Sequence, residues 1–179
     1  MANLNTSPKT HYLEKELNDL IKSEKSIFRF ITENTTDGIW FWDLEKPSEE
    51  WMNSDFWKTL GYDPKIMPHK SAAWQNIIHP EDLKSATENL HLHCNNPNYP
   101  YDQIVRYTHQ FGETVWIKCK GIAIRDENGN AIRMLGMHEN ISELKETQIK
   151  LNSQIELNQH IMESSGIGSW KWEIVTGKI

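Results

Sequence analysis

Asp37-Gly38-Ile39-Trp40-Phe41-Trp42-Asp43-Leu44 is dense in aromatic and β-branched residues and is bounded by Gly38 and by the turn-forming Glu45-Lys46-Pro47. That composition predicts a β-strand. Side chains alternate across a strand, so Trp40 and Trp42 share one face while Ile39 and Phe41 share the other. With large apolar residues on both faces, the strand is expected in the interior of a sheet, covered on both sides.

A second short strand is expected at Glu50 to Met52. It leads into Asn53-Ser54-Asp55-Phe56-Trp57-Lys58-Thr59-Leu60, where polar cap residues precede a short helix that Gly61 ends. Further on, His79-Pro80-Glu81-Asp82 places His79 at a cap position, proline at the first helical position and two acids at the positive end of the helix dipole. This predicts a helix from Pro80 to about His93, closed by the turn residues Asn95-Asn96-Pro97-Asn98. The period then changes to two. Tyr101 to His109, Thr114 to Arg125 and Ala131 to His138 read as three strands, the last two joined by a turn containing Asn128-Gly129.

Both flanks carry heptad spacing. Leu13, Leu17, Leu20, Glu24 and Ile27 recur at four, three, four and three, which suits a helix lying on its own domain or one pairing with another chain. After the last strand, Asn140 and Glu143 have capping-box spacing, and Ile141, Leu144, Gln148, Leu151, Ile155, Asn158 and Met162 form a second seam. At 1.5 Å per residue such a helix is about 33 Å long, and it reads as a rod leaving the domain.

An internal repeat follows. Glu33, Trp40, Trp42, Asp43 and Leu44 align with Glu163, Trp170, Trp172, Glu173 and Ile174 at a constant offset of 130. The expected organisation is therefore an N-terminal amphipathic or coiled-coil helix (1–25), one complete domain (26–140), a heptad linker (141–162) and the start of a second copy (163–179).

Composition narrows the function. Nineteen basic against twenty-five acidic residues leave a net charge of −6, which argues against nucleic acid as a partner. No apolar run is long enough to predict a membrane span, and the first twenty residues lack a signal-peptide pattern. Cys94 and Cys119 are too few for a disulfide framework and lack metal-site spacing, so they read as reduced thiols of a cytoplasmic chain. There is no glycine-rich phosphate loop, nucleophile elbow or HExxH motif, and no catalysis is expected from this chain.

Asp37 to Leu44, Met52-Asn53 with Phe56, Leu60-Gly61-Tyr62, His79-Pro80-Glu81-Asp82, Phe111-Gly112-Glu113 with Trp116, and Gly129 with Gly136 and Asn140-Ile141-Ser142 together resemble a PAS domain. The resemblance covers about Ser26 to Lys145. Its closing triplet is usually Asp-Ile-Thr, so Asn140-Ile141-Ser142 departs conservatively. The resemblance implies an α+β fold, a five-stranded antiparallel sheet with helices on one face enclosing a pocket. It also implies a sensory and dimerisation module of the kind found in the tandem-PAS sensor histidine kinases of bacteria, with cyclic-dinucleotide cyclases or phosphodiesterases as the alternative. A homodimer through the flanking helices and an output domain in the same polypeptide, beyond Ile179, are the expected partners.

By the same comparison, the pocket candidates are Trp40, Trp42, Phe56, Val105, Tyr107, Ile117, Cys119, Met134, Gly136 and His138. His138 shares a strand face with Met134 and Gly136, and reads as a core histidine ahead of a ligand contact. The ligand is unknown. A small molecule and a core filled by its own side chains, a ligand-free scaffold, are both compatible with two indoles on one strand. The Asn-Cys-Arg-Phe motif of flavin-adduct photosensors is absent, and His91 and His93, two apart, point to different helix faces, which argues against haem or another metal. His79 reads as a helix cap and His109 as a surface residue near a turn. Signal transmission is expected through Asn140, Ile141, Ser142, Glu143 and Leu144, where the last strand meets the rod.

Overall fold

The strand expected at the first aromatic run forms as β1 (Gly38–Asp43). It is followed by β2 (Glu50–Met52), α1 (Ser54–Thr59), α2 (Ser71–Gln75), α3 (Pro80–Asn95), β3 (Tyr101–Thr108), β4 (Thr114–Arg125), β5 (Ala131–Asn140) and α4 (Ser142–Ser164). This computed structural model describes residues 19, 21–23, 25 and 37–164. All five residues of the first heptad seam lie outside the described residues, and so does the repeat after Ser164; the described 19, 21–23 and 25 are helical.

The chain divides into two compact units, Met1–Asn140 and Ile141–Ile179. In the first, five strands form one antiparallel sheet in the order β2-β1-β5-β4-β3. The first and last strands are thus neighbours at its centre, with Trp40 opposite Gly136. The helices lie against one face, and the core between them holds Trp40, Phe56, Trp57, Leu60, Ile117 and Met134, all 3% exposed or less. Burial of each such side chain contributes about 1.5–3 kcal/mol.

The boundaries have local causes. The Asn53 side chain accepts from the Phe56 N–H and caps α1, and Gly61 adopts φ +81° just beyond its end. Pro80 opens α3, whose first turn carries Glu81 and Asp82. Asp82 reaches from there to β3, where its Oδ2 accepts from Arg106 N at 2.6 Å and Nε at 2.9 Å, and its Oδ1 from Nη2 at 2.7 Å. The Arg106 guanidinium holds the Asp82 carboxyl below the usual carboxylate range. At the far end of α3, Arg125 donates to the carbonyls of His93 and Cys94. The helix is tied to the sheet at both ends.

Three expectations change here. β1 is central but covered on one face only: Phe41 on its other face is 38% exposed, because no described helix packs on that side. β5 continues past His138 to Asn140, since Ile117 and Lys118 still offer pairing partners there. His79 holds the cap position with backbone alone. It makes no side-chain cap bond, and its Nδ1 instead faces Arg106 Nη2 at 3.2 Å.

In the second unit α4 runs for 23 residues and buries none of its side chains. Leu144, Leu151, Ile155 and Met162 of the heptad seam are all exposed.

Candidate functional site

Residues from β1, β2, α2 and β3 to β5 converge on an internal cavity of about 20 Å³. That is room for about one water molecule, far below the several hundred Å³ of a drug-sized pocket. Of the expected residues, Trp40, Trp42, Val105, Tyr107, Cys119 and His138 line it. Phe56, Ile117 and Met134 are fully buried beside it without lining it. Gly136 has a different part: a Cβ there would lie 2.1 Å from the Trp40 ring, so the bare α-carbon is the seat on which that indole rests.

Sequence reasoning missed Glu50, Trp74, Tyr101 and Gln103, which also line the cavity. Glu50 is 5% exposed, and its Oε2 accepts from Trp74 Nε1 at 2.5 Å. Burial outweighs that bond and pushes its carboxyl up to about 8. A signal for it existed. With a period of two, Glu50 shares the inward face with Met52, and an acid on an inward face is the informative exception.

A chain of polar side chains closes the α3 side. Tyr99 Oη donates to Asn89 Oδ1 at 3.1 Å, Asn89 Nδ2 to Gln103 Oε1 at 2.7 Å, and Gln103 Nε2 to Tyr101 Oη at 2.9 Å. On the β5 side the His138 ring stacks on Phe56 with centroids 4.7 Å apart. Its Nδ1 has no protein partner, and burial pushes the imidazole down to about 3. Burial likewise pushes up the Tyr101 and Tyr107 hydroxyls and the Cys119 thiol. The Trp40 indole N–H lies by that thiol, too loosely for a full hydrogen bond.

Near pH 7 every titratable group of the wall is thus neutral. Glu50 is a carboxylic acid, able to donate as well as accept, and Cys119 is a thiol and no nucleophile. The arrangement suits recognition of a small uncharged group by hydrogen bonds between aromatic walls.

Two further histidines have structural parts, at 93 and 109. His93 is buried, not solvated, because both ring nitrogens are engaged: Nε2 accepts from Ala123 N at 3.0 Å, which leaves Nδ1 to donate to the Tyr99 carbonyl. His91 is exposed. The His109 side chain is only 18% exposed, as its ring packs where a Gly61 side chain would otherwise stand, so it is not a free surface residue. Among the described residues, no three His, Cys, Asp or Glu side chains gather as a metal site.

A family model described as "PAS fold" matches residues 49–138. The probable diguanylate cyclase DgcE of Escherichia coli (strain K12) is 25% identical over 134 residues, covering 70% of this chain and 11% of that protein. The chain therefore spans about a tenth of the length of this curated relative. A sensory box histidine kinase/response regulator from Burkholderia thailandensis superposes with a TM-score of 0.62 at 24% identity, over 74% of this chain and 98% of that one. The N-terminal domain of a diguanylate cyclase with PAS/PAC sensor from Marinobacter aquaeolei gives 0.52 at 20% identity, over 60% and 97%. Both structural likenesses concern the fold.

Proposed function

The chain belongs to the PAS-fold family, and from that premise we propose that it is the sensory module of a multidomain signalling enzyme, relaying the state of its inner cavity to an output domain through α4. The observation that carries this reading is the position of β5. His138 stands in the cavity wall, and the same strand ends at Asn140, two residues before α4 begins. A ligand that repacks His138 or Met134 acts on the strand from which the rod emerges.

The module makes no chemistry of its own in this reading. Its cavity, closed down to about 20 Å³, widens by repacking of its walls to take a small uncharged molecule, and flavin adducts and haem are not its cofactors. Two copies pair through the flanking helices, the C-terminal seam offering the exposed Leu144, Leu151, Ile155 and Met162 but not Ile141, which is buried, with Gln148 and Asn158 setting register. The Asn140-to-Leu144 segment carries the signal, and the second repeat after 162 begins a further domain of the same parent in the cytoplasm. For that parent, a histidine kinase is supported by likeness of fold to the Burkholderia protein and a diguanylate cyclase by sequence match to the E. coli one.

A ligand-free scaffold is the second reading, favoured by the small cavity and by the Trp40 ring seated on Gly136. One experiment tests the relay in either case. A single residue inserted after Lys150 in the intact parent rotates all that follows by about 100°, and a full heptad restores the phase. The relay predicts altered output with one residue and recovery with seven. Unchanged output in both contradicts it.

A further inference from the structure

Glu50 is a buried acid with no cation beside it. No Lys or Arg stands among the residues that line its cavity, and Arg133, which borders an outer pocket together with Glu50, is held by Asp43 and Glu45. Around the cavity stand the rings of Trp40, Trp42, Trp74, Tyr101 and Tyr107. Two pairs of them meet edge to face, Trp42 with Trp74 at 88° and Trp40 with Tyr101 at 70°, each with centroids 6.0 Å apart. Rings set at such angles form adjoining walls of a box, and electron-rich ring faces attract a cation. The space between them, about 20 Å³, has the size of one water molecule or one ammonium group.

We propose that this cavity binds the head group of a small aliphatic amine, held as an ammonium ion between the aromatic rings with Glu50 as its counter-ion. This assignment rests on the sensory reading above and gives its uncharged ligand a chemical class, because the amine enters as the free base. Inside, the Glu50 O–H bond breaks and an N–H bond forms on the amine. The proton stays in the cavity, and the pair it creates is neutral overall. The direction follows from basicity, since an alkylamine holds its proton up to about 10.4, above the value of about 8 to which burial brings Glu50.

An ammonium group carries several N–H donors, and more than one acceptor awaits them. Glu50 is fixed in place by the bond that its Oε2 accepts from Trp74 Nε1. His138 is 2% exposed and lines the same cavity, and its Nδ1 has no protein partner. Burial keeps this ring neutral, so it offers a bare nitrogen to a donor. The other titratable groups across the cavity from Glu50 are Tyr101 and Tyr107 of β3 and Cys119 of β4, and burial keeps all three neutral. A small anion therefore meets no cation here, and an alcohol brings no charge for the aromatic box to attract.

The test uses methylamine as the probe on the 179-residue chain, with methanol as its uncharged counterpart and ionic strength held by sodium chloride. Binding is read from the Trp74 indole N–H signal in nitrogen–proton correlation spectra. Near pH 7 the free amine is protonated and the empty Glu50 neutral, so binding releases one proton and tightens as pH rises towards 8. The expected Kd is millimolar at about pH 7.5, about eightfold weaker at about pH 6.5, and at least about tenfold weaker for methanol or for Glu50→Gln. An affinity independent of pH, equal binding in Glu50→Gln with an unchanged circular dichroism spectrum, or no shift at about 100 mM methylamine overturns the assignment. The pH series is read on the unaltered chain, so it decides the matter even where Glu50→Gln fails to fold. Methanol bound as tightly as methylamine overturns the amine and leaves the sensory reading standing. Methylamine bound as expected, with unmoved output from the intact parent, supports the amine and contradicts the relay.

Discussion

The indole N–H of Trp74 donates to Oε2 of Glu50 at 2.5 Å, joining α2 to β2 across the cavity wall. Burial keeps this acid neutral in spite of that bond, with a proton free to donate. That gives the cavity a polar floor without a charge, and ties its chemistry to pH in a way the following variants expose.

In the folded chain Glu50 keeps its proton up to about 8, whereas the unfolded chain releases it near 4.5. Between those values the folded state holds one more proton, so stability falls as pH rises through this window. Glu50→Gln is expected to flatten the fall, most visibly from pH 6.5 to 8. Urea denaturation at half-unit pH steps checks this, with a loss on the order of a few kcal/mol in the parent chain and less in the variant.

His138 acts in the opposite sense. Its folded imidazole stays neutral down to about 3, while the unfolded one protonates near 6.5. Stability contributed by neutral burial is lost as pH falls from 6.5 towards 3. His138→Phe should narrow the melting-temperature difference between pH 7 and pH 4. From 4.5 to 6.5 the two groups offset each other, which predicts a plateau there in the parent chain.

Gly136→Ala places a methyl within 2.1 Å of the Trp40 ring. Overpacking of this kind costs about 2–3 kcal/mol. Trp40→Leu in the same chain should recover part of the loss, a coupling that a double-mutant cycle in urea would measure.

Asp82→Asn removes the carboxylate that receives three Arg106 donors, the tie between the start of α3 and β3. The expected cost is about 1–3 kcal/mol near pH 7. Because the folded carboxyl sits below its ordinary value of 3.8, this contribution is present above that pH and is lost as pH falls through the lower folded value. The difference between variant and parent should shrink in acid.

Most of this architecture was legible in alternation and punctuation. The aromatic run placed β1, Pro80 with two acids placed the start of α3, and Asn128-Gly129 placed the last hairpin, since each is a local steric or dipolar preference. Helix α2 escaped because five residues, Ser71–Gln75, are too few to show a period. Glu50 escaped for another reason: an acid beside Glu49 at a sheet edge reads as solvated unless its alternation with Met52 is given weight, and the packing of Trp74 over it makes the burial plain. His93 looked like one more solvated or capping histidine because its anchors, Ala123 and Tyr99, lie 30 residues and 6 residues away.

The claim that the cavity is a sensor's pocket is tested most directly by native mass spectrometry of the purified 179-residue chain, with an absorption spectrum of the same sample. The account predicts a species heavier than the 21.0 kDa polypeptide by one small molecule per chain, with no visible chromophore, and loss of that mass in Glu50→Ala. Bare polypeptide in both the parent chain and the variant would contradict it and leave a filled module that signals through its helices alone.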